Sequence, residues 1–284
     1  VNTVPGFAAP WLVPLCAGAA LIGFAGWAFP RARAVERAGE WAGGFALAAA
    51  TFSWVARWRL AGHLPLFGTY ESSLSLAVAV LAAVAVLRWK TRRAARLWPV
   101  AAALAAALVG HGVRFDVTAF PLTISERSWV VDVHAVFAWA AFGVLAANAG
   151  LALWLLVSRR RGTERGAPPE RWLPRTLTVG FALHSAMLAS GSLYKFLLFG
   201  KVWTFDPIET LGLLAWLAYG TLLHLHLFAG WQGRRLASWC LGLFVVLLVS
   251  YRGIVYFPAW STYHIFDMNL RMHVTGRQGA QEGP

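Results

Sequence analysis

The sequence predicts an all-α fold: a polytopic integral membrane protein of about eight transmembrane helices, with both termini on the outer side. Three observations carry this. The 284 residues are 58% hydrophobic and only 13% charged, with a mean hydropathy of +0.58. Apolar runs of about 20 residues, enough for one bilayer crossing, recur along the chain. The basic residues gather in alternate connections between those runs. With no water in the bilayer core, each crossing must satisfy its own backbone, and a helix does so.

The first run, 8–29, has no basic residue before it and several after, so it is expected to remain as a span and not to be a cleaved signal peptide. The second, 40–57, follows "PRARAVERAGE" (30–40). The third and fourth, 73–88 and 97–111, are the shortest and are joined by "RWKTRRAARLW" (88–98). The fifth and sixth, 129–157 and 176–197, flank the Arg- and Pro-rich tether "SRRRGTERGAPPERWLPR" (158–175). The seventh and eighth, 209–230 and 237–256, flank "WQGRR" (231–235). These four connections hold 16 of the 25 Lys and Arg residues, and the positive-inside rule places them in the cytoplasm. The net charge of +13 is thereby assigned to topology and anionic lipid, not to nucleic acid.

No internal repeat, phosphate-binding glycine motif or soluble domain is evident, so residues 1–284 are expected to form a single transmembrane domain with no ATPase activity. Cys16 and Cys240 are isolated in apolar spans and form no CxxC, which argues against thiol–disulfide exchange and structural zinc. The informative segments all fall on the outer face. They are "RWRLAGHLPLFGTYESS" (57–73), the loop 111–128, an outer loop of about 195–209, and the tail 257–284.

Histidine in or beside a bilayer is costly enough to count as a functional candidate. His134 lies near the outer end of the fifth span, and His264 follows the last span on the same side. Two neutral imidazoles at one membrane level suit axial coordination of one iron; an interfacial histidine bonded to a loop carbonyl is the alternative for either. In "FGKVWTFDPIETLGLLAWLAYGTLLH" (Phe199–His224), Asp206 suits an N-cap, Pro207 the first helical position, and Glu209 the third residue of a capping box. Capping leaves Phe199, Trp203 and Phe205 unexplained. An interfacial aromatic belt is one account of them. A shelf for a flat, apolar ligand with one polar edge, such as porphyrin, is the other. His224, 18 residues after Asp206 and about 27 Å along a helix, falls near the cytoplasmic side.

That stretch resembles the tryptophan-rich "WWD" segment of haem-handling cytochrome c assembly proteins of the CcsA/ResC type, approximately WGxxWxWDPKETWxLxxWLxYxxYLH. Gly200, Trp203, Asp206, Pro207, Glu209, Thr210, Trp216, Leu217, Tyr219, Leu223 and His224 match at the same spacing. "RWRLAGHLPLFGTYES" is similar to the family's RWxxSGHxPxSNxYES. "VDVHAVFAWAAFG" and "YRGIVYFPAWSTYHIF" resemble the segments bearing its two external histidines. The matches cover most of residues 55–266 in the family's order.

The resemblance implies a multi-pass protein of the bacterial inner membrane. It would bind haem b transiently as substrate, conduct it across the lipid bilayer and present it at the outer face to a CxxCH apocytochrome c. It implies a component of a cytochrome c synthase, or haem lyase, acting with a CcsB/ResB-type partner. By matching position it suggests His134 and His264 as axial ligands, Trp203 and Asp206 in the aromatic platform with Phe199 and Phe205, and His224 as the buried transmembrane ligand. The ligand opposite His224 would come from the partner; His184, mid-span, is the internal candidate, with a packed core histidine as its plainer reading. Phe199, Phe205 and Leu211 stand where the family usually has Trp, and Ile208 where it has Lys. Arg252, in the outer part of the last span, needs a polar partner, and a haem propionate is one. A b-type electron-transfer subunit and a non-catalytic scaffold of a respiratory complex are the competing classes, separable by haem content after purification.

Overall fold

A computed structural model describes residues 9–28, 33–115, 117, 122, 127–160 and 168–253. Among these residues the chain forms eight α-helices. They are α1 (Leu12–Ala28), α2 (Arg33–Ala61), α3 (Thr69–Lys90), α4 (Trp98–Gly112), α5 (Trp129–Arg160), α6 (Pro168–Phe199), α7 (Pro207–Phe228) and α8 (Gly233–Gly253), with a 3-10 segment, Arg92–Leu97, leading into α4. Each predicted run contains one helix. α2 and α6 extend past their apolar runs because charged residues at bilayer edges continue a helix as readily as apolar ones. α6 begins at a Pro-Pro pair and runs through Pro174.

Six helices are long and apolar enough to cross a membrane: α3, α4 with its 3-10 lead-in, and α5 to α8. α1, at 17 residues, is shorter; α2 is long, but glycine, serine, threonine and tryptophan dilute its apolar run. The chain is thus a polytopic helical membrane protein.

α3 and α5 form the middle of the bundle. α2 and α4 pack on one side of α3, with α1 resting on both of them, while α5 packs on its other side and makes its largest interface with α6. In lipid, close approach of backbones replaces the hydrophobic effect as the force between helices, so small residues mark the crossings. A Cβ on Gly39 of α2 would lie 2.9 Å from the Gly23 Cα of α1, and one on Gly143 of α5 would lie 2.5 Å from the Ala79 carbonyl oxygen of α3.

The segment 57–73 is fastened by a buried ion pair. Arg57 Nε lies 2.8 Å from Glu71 Oε1, and Arg57 Nη1 donates to the Val117 carbonyl at 2.6 Å. Glu71 Oε2 accepts from the Phe67 backbone N–H at 3.2 Å, and the Tyr70 hydroxyl accepts from the Ala9 N–H at 2.9 Å. Ser75 accepts from Trp54 Nε1 and donates to the Pro65 carbonyl. The motif therefore ties α2, α3 and the turn between them.

Candidate functional site

α5, α6, α7 and α8 stand in a ring in which each packs on the next. Across the ring α6 meets α8 only slightly, and α5 meets α7 no more than that. The diagonal gap is a cavity of about 630 Å³, closed on the α3 side by Leu66, Phe67 and Leu76. Its walls are mainly apolar, the pattern of a small-molecule site with a few polar groups to orient its occupant.

His134, in the second turn of α5, lines this cavity. Its Nδ1 lies 2.8 Å from the Met187 carbonyl of α6, so Nδ1 carries the proton and the ring's lone pair sits on Nε2. Histidines that bind metals are held in this way by a second hydrogen bond to a carbonyl or carboxylate. Gly191 makes room for the ring: a Cβ there would be 2.8 Å from His134 Cε1 and 2.9 Å from Nδ1.

The aromatic run between α6 and α7 divides. Phe199 and Trp203 line the cavity, whereas Phe205 is 81% exposed and outside its lining. Phe205 has φ 57°, the only positive φ of a non-glycine residue among those described, and this turns the chain into the α7 cap. Asp206 is buried, and its carboxylate accepts from the Ile208 N–H at 2.9 Å. Glu209 departs from the expected capping box. It reaches past Asp206 to accept from the Thr204 N–H at 3.0 Å and pairs with Lys195 Nζ from the last turns of α6. Lys195 also donates to Thr204 Oγ1 at 2.6 Å, so one buried polar network closes the loop at the cavity's edge. Sequence reasoning passed over Lys195. Its signal was a lone cation in an apolar run, facing an acid across a short loop.

His224 lies elsewhere. It is exposed on α7, its ring tilted against Phe228 with centroids 4.6 Å apart, and does not line the cavity. His184 does line it, beside Gly212 of α7. Gly212 and His224 are 12 residues apart on α7, about 18 Å along the axis, so His184 and His224 cannot share one metal ion. Arg252 points to α3 and α4. It donates to the Thr69 carbonyl at 3.3 Å, to Ser72 Oγ at 3.2 Å and to Ser73 Oγ, and its Nη2 lies 3.0 Å from His111 Nδ1. His264 and the tail 257–284 lie outside the described residues. No cluster of three or more His, Cys, Asp or Glu suited to a metal ion occurs among the described residues.

A family described as "Cytochrome C assembly protein" matches residues 66–258, from the start of α3 through the end of α8. Curated relatives named cytochrome c biogenesis protein CcsA agree along similar lengths. That of Synechococcus sp. strain CC9605 is 28% identical over 243 residues, covering 70% of this chain and 77% of the relative. That of Synechococcus sp. strain CC9311 is 28% identical over 254 residues, covering 72% and 81%. In Synechococcus sp. strain WH7803 the identity rises to 46% over 81 residues, 28% of this chain and 25% of the relative. Because the family match spans more than half of the chain and all four walls of the cavity, the protein belongs to the Cytochrome C assembly protein family.

Proposed function

We propose that this protein acts in cytochrome c biogenesis: as a single domain of eight crossings in the inner membrane, with both termini outside, it binds haem b as substrate, conducts it across and presents it to CxxCH of an apocytochrome c. Six apolar helices support the membrane setting, and the basic connections support the orientation. The observation that carries the reading is the cavity, apolar and edged by Phe199 and Trp203, with a histidine whose ring is already oriented by a backbone carbonyl. In this reading His134 and His264 hold the iron from opposite sides while Phe199 and Trp203, with the Asp206 turn, cover the ring's edge; Phe205, turned outward, takes no part in the cavity. Arg252 belongs to the same outer face, its guanidinium fixed by α3. His224, exposed on α7, suits an inner site completed by a CcsB/ResB-type partner, since an exposed imidazole is open to a ligand from another chain.

Co-expression with a candidate partner and a CxxCH apocytochrome, scored for covalent haem, tests the proposal. Covalent haem that depends on this chain and is lost in His134→Gly is the expected result. Attachment that proceeds equally without this chain overturns it.

A further inference from the structure

We propose that His184 is an intramembrane ligand for the metal of a flat, apolar chelate, a metalloporphyrin, held in the cavity at a level below His134; the choice of ligand rests on the haem-handling reading above. His184 is 3% exposed and lines the cavity. Its Nε2 is buried and has no hydrogen-bond partner among the described residues. With its proton on Nδ1, the neutral ring leaves a lone pair on this buried Nε2. An orphaned imidazole nitrogen in an apolar interior costs free energy unless something occupies it. A second orphan shares the cavity: the Tyr219 hydroxyl, 1% exposed, also lacks a partner among the described residues.

The surroundings select the kind of metal. No cluster of metal-binding side chains surrounds His184 among the described residues, so a bare divalent ion would lack most of its ligands. A metal that brings its own equatorial nitrogens in a planar apolar ring needs only an axial donor, and about 630 Å³ of apolar space suits such a ring. The level is distinct from both other histidines. Met187 and Gly191, which seat His134, lie one and two turns nearer the outer face on α6, and His224 lies about 18 Å further in along α7. His184 thus offers an intermediate step between an inner and an outer site.

The test is a titration of the purified full chain in detergent with haem b, followed by visible absorbance and by haem retained after gel filtration. His184→Asn keeps a polar amide N–H near the Nδ1 position and removes Nε2 together with the outer part of the ring, so the metal loses its donor. It is expected to bind haem about tenfold or more weakly, with an altered spectrum that added imidazole restores. His184→Asn combined with His134→Gly is expected to retain less haem than either single variant. Tyr219→Phe is expected to weaken binding several-fold while leaving the ligation spectrum unchanged. Wild-type affinity and spectrum in His184→Asn, with both altered in His134→Gly, would overturn the assignment of His184 and leave the haem-handling function standing. A loss in His184→Asn that imidazole fails to restore would overturn it too, as a packing effect. Wild-type protein that takes up no haem at all would remove both proposals together.

Discussion

His134 and Gly191 work as a pair, because the ring occupies the space that any side chain at 191 would need. Gly191→Ala should displace the imidazole from the Met187 carbonyl and lower co-purifying haem nearly as far as His134→Gly does, while the protein accumulates normally. Haem content per mole of purified protein measures this. The Lys195–Glu209 pair is buried on both sides, with side-chain exposures of 7% and 10%. Removing one partner from a buried pair strands the other charge and costs about 3–5 kcal/mol. Glu209→Gln should therefore lower thermal stability in detergent sharply, and Lys195→Met combined with Glu209→Gln should recover much of the loss. His134 was legible in the sequence because imidazole at an outer membrane level is rare and its neighbours matched a known segment. The Met187 carbonyl was not legible, since every residue offers a backbone acceptor and only the packing of α5 on α6 selects this one. Glu209 was read as a cap residue for a related reason: its charge partner comes from another helix.

At the scale of the element, the start of α7 shows how a cap and a functional loop share residues. Asp206→Ala removes the acceptor for the Ile208 N–H and should cost about 1 kcal/mol, whereas Asp206→Asn keeps it and should cost little. Thermal unfolding of the two variants separates capping from any other role of the carboxylate, which haem retention then reports. Each apolar run marked a helix, six of the eight being long and apolar enough to cross a membrane, but the helix ends were not legible. Hydropathy senses only the apolar run, and α2 and α6 continue helically beyond theirs. The Phe205 turn was invisible as well, because an aromatic residue with φ 57° is held there by its surroundings and not by its own preference. It sends that ring outward while Phe199 and Trp203 remain at the cavity, a division that an evenly spaced aromatic run does not disclose.

For the whole molecule, the basic connections predict which ends face which compartment. A reporter active only in the cytoplasm should work when fused after Arg161 and fail after His273; activity at the second position would remove His264 from the outer face. The middle of the bundle is also unevenly supported. α3 and α5 are buried over most of their apolar length, whereas α6, α7 and α8 leave most of theirs uncovered. The cavity accordingly has one braced wall, α5 backed by α3, and three walls whose outer surfaces the described residues leave largely uncovered. Stiffness on one side and compliance on the other makes a vessel that changes volume by moving one wall. Spin labels make this measurable, since the two native cysteines, Cys16 and Cys240, are buried and leave introduced sites to react first. A label pair spanning α3 and α5 should give a narrow distance distribution with or without haem b. A pair spanning α5 and α7 should give a broad one that sharpens as haem b is added, so the protein would measure its cargo by the spread of its own helices.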